Sequence, residues 1–238
     1  MDEEVSTKHI VRRFDEELQT VRNRVLKMGG LVEQQVLNAL AALRDVDSEL
    51  AEQVISRDAE INGMEVAIDE ECTRILVRRQ PAATDLRTVI AVIKTITDLE
   101  RIGDEAERIA RTAMGLAESK GPSYRYANGI QHLGNQVRGM VHGALDAFAR
   151  LDVAAAVEVV RDDRIVDGEY DALMRQMMTF MMEDPRSIGT ILQVSWAARA
   201  LERVGDHAKN ISEYIIFLVK GKDVRHTSIE TIEQEAKS

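Results

Sequence analysis

Glu100 and Asp104 stand four residues apart in the stretch LERIGDEAERIA, which runs from Leu99 to Ala110. Glu202 and Asp206 repeat that spacing in LERVGDHAKNIS, from Leu201 to Ser212. Residues four apart on a helix lie one turn above each other on one face, and neither pair has a cation between its acids on that face. Such like-charged pairs repel by about 0.2–0.5 kcal/mol. The glycine inside each motif, Gly103 or Gly205, costs a helix about 1 kcal/mol relative to alanine. Clustered carboxylates repel unless they are protonated, paired or bound to a cation. As ligands they offer only hard oxygen, which suits magnesium, manganese, calcium or ferric iron. The competing reading is a solvated acidic face, with Asp104 paired to Arg108 and Glu107 to Arg111.

Long helices must position these acids. The chain holds only 3 prolines, and each falls in a break between stretches of helical periodicity: Pro81 after RRQ, Pro122 in SKGPS and Pro185 after MED. The pattern predicts helices at 8–45, 48–79, 83–118, 126–151, 153–183 and 186–220, followed by a polar, loose tail from Lys222. The segment from Ala39 to Asn62 aligns without gaps on that from Ala144 to Asp167, an offset of 105 residues. The third helix of each half matches at the offset of 102 residues that carries Leu99 onto Leu201. A repeat this long indicates a duplicated three-helix unit. The expected fold is all-α: two tandem three-helix bundles, residues 1–120 and 121–222, with a polar C-terminal tail at 223–238.

Each third helix carries a heptad seam. It is Val92, Ile96, Leu99, Gly103, Ala106, Ala110 and Ala113 in the first half, and Val194, Ala198, Leu201, Gly205, Ala208, Ser212 and Ile215 in the second. The glycines sit on the seam, where small residues permit close approach, and each acid follows a seam residue. The second helix repeats the arrangement, with Asn62, Glu65 and Asp69 after Ile61, Met64 and Ile68, and Asp58 one turn earlier. A short connection makes the second and third helices antiparallel, so these two polar rows should face each other. The candidate ligand sets are Asp58, Asn62, Glu100 and Asp104 in the first half, and Asp163, Asp167, Glu202 and Asp206 in the second. His207 points about 100° away from Asp206 and reads as a surface residue.

Composition narrows the function classes. A net charge of −10 disfavours nucleic acid or an anionic membrane as the main partner. The single Cys72 excludes an internal disulfide framework and a thiolate zinc site; it reads as a small buried hydrophobe. No apolar run reaches membrane-spanning length, and the polar N-terminus does not read as a signal peptide. No phosphate-cradling glycine loop, Ser/His/Asp set or cysteine nucleophile is present, so no enzyme chemistry is expected. Met174 to Met182 reads as core filler or an adaptable partner surface, Arg78 and Arg79 as a solvated basic turn or an anion-holding one, and Trp196 and Tyr214 as packing residues.

The chain resembles the PhoU family nearly end to end. The likeness rests on MGGLVEQQV in the first helix, RRQPAATDLR entering the third, DLERIGDEAERIARTA, and LERVGDHAKNI. The resemblance implies tandem three-helix bundles whose acidic motifs bind iron, zinc or other metals, manganese and magnesium among them, at the residues named above. Asn62 departs from an all-acidic pattern, which implies weaker metal binding in the first half than in the second. The resemblance further implies a cytoplasmic homodimer that restrains the phosphate-starvation response and phosphate uptake. In that role it would link the ATPase subunit of a phosphate ABC transporter to a phosphate-sensing histidine kinase, and meet the membrane only through those partners. The alternatives are a carboxylate-bridged metal store or di-metal enzyme, and a metal-free helical scaffold. Ferritin-like di-metal proteins use a Glu-x-x-His motif in the bundle core, which this chain lacks.

Overall fold

The structure, a computed structural model, describes residues 2–118 and 124–237, with side chains over 14–118 and 128–236. Among the described residues seven α-helices follow in order: α1 (Asp2–Asp45), α2 (Ser48–Arg79), α3 (Ala83–Glu118), α4 (Tyr124–Arg150), α5 (Val153–Glu183), α6 (Ile188–Lys220) and α7 (Ile229–Lys237). A 3-10 turn, Pro185–Ser187, leads into α6. Among the described residues there is no strand. The break expected at Pro122 lies outside the described residues.

The internal duplication is visible in the turns. Asp47 and Asp152, equivalent in the repeat, cap α2 and α5: Asp47 Oδ1 accepts from the N–H groups of Glu49 and Leu50, and Asp152 Oδ1 from that of Ala155, each at 3.0 Å. A side-chain oxygen there satisfies donors that the first helical turn leaves unpaired. The preceding residues, Val46 and Leu151, both adopt the left-handed conformation at φ 53. Each half then packs its three helices around the predicted seams, whose residues on α3 and α6 are all buried.

The halves do not stand apart. The most extensive helix contact among the described residues is α3 on α6, between halves, and α1 also packs on α4. At the second contact Leu145 lies over Gly29 and Leu40 over Gly134, so a Cβ on either glycine would overlap the leucine's Cδ2. The offset that carries Ala39 onto Ala144 also exchanges these two glycines and these two leucines. The docking therefore has an internal two-fold relation. At the α3/α6 contact, His207 Nδ1 lies 2.6 Å from Asp98 Oδ1, and Asn210 Nδ2 donates to the same oxygen at 3.1 Å. His207 is thus a half-buried interlobe residue and not a surface one, because its face of α6 meets the other half.

The tail also differs from its expectation. From Ile229 it forms α7, which packs on α5 with Ile232 buried. Ile229, Ile232 and Ala236 fall at helical spacing, and Val224 is buried ahead of them. Arg161 reaches Glu233 across the contact at 2.7 Å. A narrow apolar stripe suffices for docking when the parent helix already supplies a formed surface.

The glycine–leucine contacts generate a stability test. Gly29→Ala should destabilise the chain by about 1–3 kcal/mol through overpacking, and Leu145→Ala by about 2–5 kcal/mol through a cavity. The double variant should lose clearly less than the sum, because alanine at 145 leaves room for the added methyl group. Urea unfolding of the four proteins measures the coupling; strict additivity would mean that the halves do not dock through this pair.

Candidate functional site

In the first half α2 and α3 bring Asp58, Asn62, Glu65, Glu100, Asp104 and Glu107 to one outer groove, as the two facing polar rows predict. Asn62 Nδ2 donates to Asp58 Oδ2 at 2.9 Å. Asp58 Oδ1 and Asn62 Oδ1 are buried without a hydrogen-bond partner. A Cβ placed on Gly103 would stand 3.4 Å from Asp58 Oδ1 and 3.2 Å from Ile61 Cδ1. Gly103 therefore serves the groove as well as the seam: its bare backbone lets the Asp58 carboxylate lie close against α3. Arg101, largely in solvent, bridges Glu100 at 3.5 Å and Asp104 at 3.3 Å, so the first pair does share a cation, because a long arginine reaches round from the neighbouring face. Arg108 turns instead to Glu105 at 2.8 Å, so the Asp104–Arg108 pair of the competing solvated-face reading does not form, whereas its Glu107–Arg111 pair does.

The carboxyls here bind protons more readily than isolated ones. Burial raises Asp58, and the charges of Glu107 and Asp104 raise it further against the opposing Asn62 hydrogen bond. Burial likewise raises Glu100, with Asp104, Glu65 and Asp58 adding to the effect and Arg101 opposing it.

The second half repeats the geometry with a different charge balance. Asp163 is only 2% exposed and pairs with Lys209 Nζ at 2.5 Å. Lys209 occupies the position equivalent to Glu107, so a cation stands where the first half has an acid. Glu202 accepts from Arg199 at 2.9 Å and keeps a buried, unpartnered Oε2. Tyr170, equivalent to Glu65 in the repeat, lies under the Arg199 guanidinium at 5.8 Å. Burial raises Asp206, then the charge of Asp163; burial raises Glu202, then Asp206; burial raises Asp167, then Asp163 and Asp206. Glu213, buried beside this cluster, is pushed up to about 7 by burial despite the opposing charge of Lys209.

Each half thus gathers its four predicted residues on one groove. Among the described residues, however, no three His, Cys, Asp or Glu side chains are arranged to share one ion. The donor set fits a hard cation in chemistry: all ligands are oxygen, and Asp58 Oδ1 and Glu202 Oε2 are buried acceptors lacking a donor. Sequence reasoning missed Lys209, although its place three residues after Asp206 put it on the acidic face. It also missed Glu107 as a contributor, having assigned it only to Arg111.

The remaining sequence candidates separate cleanly. Arg79 makes a two-pronged contact to Glu17 at 2.9 and 2.6 Å, which occupies that guanidinium. Cys72 is fully buried, and burial pushes its thiol up to about 12. Met177 belongs to the core, whereas Met178 and Met182 are exposed. Tyr214 packs beneath Lys94, 5.3 Å from its ring centroid. Trp196 is not a packing residue: it is 66% exposed.

Comparison with known proteins gives a consistent result. A family model described as the PhoU domain matches twice, over residues 25–113 and 130–215. The Phosphate-specific transport system accessory protein PhoU homolog of Pseudomonas putida is 53% identical over 235 residues, covering 99% of this chain and 91% of that protein. The Phosphate-specific transport system accessory protein PhoU of Escherichia coli is 45% identical, covering 98% and 96%. The crystal structure of PhoU from Pseudomonas aeruginosa superposes with a TM-score of 0.86 at 54% identity, over 88% of this chain and all of that one. The phosphate transport system regulatory protein PhoU from Streptococcus pneumoniae gives 0.81 at 31% identity, over 89% and 99%.

The raised carboxyls fix the sign of a pH effect. Their folded values lie above those of the unfolded chain, so the folded protein holds more protons through the window from about pH 4 upward, reaching neutrality at Glu213. Their contribution is most favourable below that window and is lost as pH rises through the raised values. Metal-free protein should therefore gain resistance to urea on mild acidification from neutral pH. Asp206→Asn should resist urea at neutral pH at least as well as the parent and show a flatter gain. Lower resistance of Asp206→Asn at neutral pH would instead mark that carboxylate as a structural ion-pair member.

Proposed function

The chain belongs to the PhoU family, and from that premise we propose that it is a non-enzymatic negative regulator of the phosphate-starvation response that also restrains phosphate uptake. It acts in the cytoplasm as an adaptor, binding the ATPase subunit of a phosphate ABC transporter and a phosphate-sensing histidine kinase. Its output is differential binding, since a ligand or partner can shift a signalling equilibrium only through unequal affinity for the states involved. The observation that carries this reading is the family match over both halves, with the same architecture in relatives named as accessory and regulatory proteins of phosphate transport. The protein is a homodimer in this reading. No helix among the described residues is long and apolar enough to cross a membrane, which is consistent with contact to the membrane only through partners.

The acidic grooves would hold hard or borderline cations, with iron, zinc, manganese and magnesium as the candidates. Asp58, Asn62, Glu100 and Asp104 would serve the first half, and Asp163, Asp167, Glu202 and Asp206 the second. A bound cation would supply charge neutralisation and tie α2 to α3, or α5 to α6. Because Lys209 already neutralises Asp163, the first groove is the stronger candidate despite Asn62. This reverses the ranking that Asn62 alone suggests. A metal-store or di-metal enzyme reading is less favoured, because these acids flank the seam in outer grooves rather than entering a bundle core.

Two measurements test the reading. Deleting the gene should switch on a phosphatase reporter in phosphate-rich medium, and the full-length chain should restore repression; unchanged reporter activity would remove the regulatory assignment. Elemental analysis of untagged protein purified without chelator should find metal that falls on Glu100→Gln/Asp104→Asn and falls less on Glu202→Gln/Asp206→Asn. Equal metal content in all three proteins would remove the grooves as metal sites.

A further inference from the structure

The two ends of the α3/α6 contact are equivalent in the duplication but are built differently. At one end Tyr214 and Phe217 fill the surface beneath Lys94, which lies 5.3 and 5.9 Å from their ring centroids. The offset that carries Leu99 onto Leu201 places Thr112, Gly115 and Trp196 at the equivalent positions of the other end. Two aromatic rings are thus replaced by a hydroxyl-bearing residue and a glycine, and the lysine by a tryptophan. The result is a cleft of about 450 Å³ between the lobes.

Arg108 and Arg111 from α3, and Arg199 and Arg203 from α6, line that cleft with Trp196. Four guanidinium groups converge here in a chain of net charge −10. Glu105, 2% exposed, anchors two of them: its Oε1 lies 2.8 Å from both Arg108 and Arg203. Its Oε2 is buried without a partner. Arg111 and Arg199 pair with Glu107 and Glu202 while remaining largely in solvent. Each guanidinium carries five donors, so these arginines can meet a second carboxylate on their solvent-facing edge while keeping the existing pair.

An apolar stripe extends the cleft along α6. Ile188 and Leu192 are exposed at 40% and 43% and precede Trp196 at four-residue steps. Together with Arg199 and Arg203 they fall within about 80° of the helix circumference and span about 22 Å. We propose that this face binds an acidic amphipathic helix of a partner protein. Apolar side chains of that helix cover Ile188, Leu192 and Trp196, and its carboxylates meet the four arginines. Such a pairing is a helix-in-groove mode read by anchors one turn apart, with bidentate guanidinium–carboxylate contacts fixing register. A nucleotide matches the arginines and the indole but leaves the Ile188–Leu192 stripe uncovered. The proposal deepens the adaptor reading by naming a docking face, and it rests on that reading for the partner's role.

Trp196 is the only tryptophan of the chain, so its emission reports occupancy directly. The probe is a synthetic helix of about 15 residues, matching the span from Ile188 to Arg203. It carries leucines at four-residue steps in one half and glutamates at three- and four-residue steps in the other; a control peptide has lysine for every glutamate. The acidic peptide should shift Trp196 emission saturably and bind less tightly at higher salt, and the lysine control should not bind. Arg111→Glu, at an exposed position, and Gly115→Phe, which restores the filling seen at Phe217, should each weaken binding at least about tenfold. In cells the same full-length variants should derepress the phosphatase reporter.

No emission shift with the acidic peptide, or an equal shift with the lysine control, overturns the proposal. So does a saturable shift with ATP that the acidic peptide cannot displace, which would assign the cleft to a nucleotide. Self-association in sedimentation that is lost in both variants would assign it to a second copy of the chain and overturn the proposal equally. If the gene deletion itself leaves the reporter silent, the adaptor reading fails. If the deletion derepresses while both variants repress normally, only the docking face fails.

Discussion

Each third helix has to serve two packing partners at once, and the rest of the structure follows from that constraint. On α3 the row through Leu99 and Gly103 closes its own lobe, and the flank holding Asp98 and Glu105 meets α6. Glu100 and Asp104 occupy the opposite flank, toward α2. A helix has only 3.6 residues per turn, so claiming one flank for lobe docking leaves the other as the place where an acidic pair can face a neighbouring helix. α6 obeys the same division, with His207 and Asn210 toward α3, and Glu202 and Asp206 toward α5. The two grooves are held at opposite sides of one extensive helix contact, and each third helix is packed on both flanks.

Small residues make the constraint tolerable. The glycines at 29 and 134 admit leucines from the opposite lobe, and Gly103 admits Asp58 and Ile61 from within its own. Interiors at crystal-like density do not deform continuously, so these close approaches define one lobe arrangement. The same density makes polar pairs buried between lobes consequential: Asp98 and Glu105 each lie almost wholly out of water and each has cationic or donor partners from the other half. Removing such a partner leaves a buried acceptor unsatisfied, which costs more than the intact pair contributes.

Duplication supplied the frame, and divergence at a few positions set the chemistry. Glu107 against Lys209 changes a groove of accumulated negative charge into one partly neutralised from within. Thr112 and Gly115 against Tyr214 and Phe217 open one end of the lobe contact and leave the other filled. Neither change disturbs the seams, because all six residues lie off the heptad rows.

The sequence by itself determined the helices, the duplication and the acidic rows, because these depend on local periodicity. Proline breaks and the seams through Leu99 and Leu201 are readable within one or two turns of chain. Antiparallel neighbours joined by short turns then place Asp58 opposite Asp104 and Asp163 opposite Asp206 without further information. Only the tertiary structure decided what the remaining faces meet. Nothing local to His207 reveals that Asp98 lies 109 residues away at hydrogen-bond distance; for Lys209 the spacing gives the face, but only packing shows that the ammonium reaches Asp163. Trp196 shows the same limit: a large apolar side chain at helical spacing reads as core until the other lobe is placed. There the small residues at 112 and 115 leave its ring at the edge of an open cleft instead of beneath a packed one.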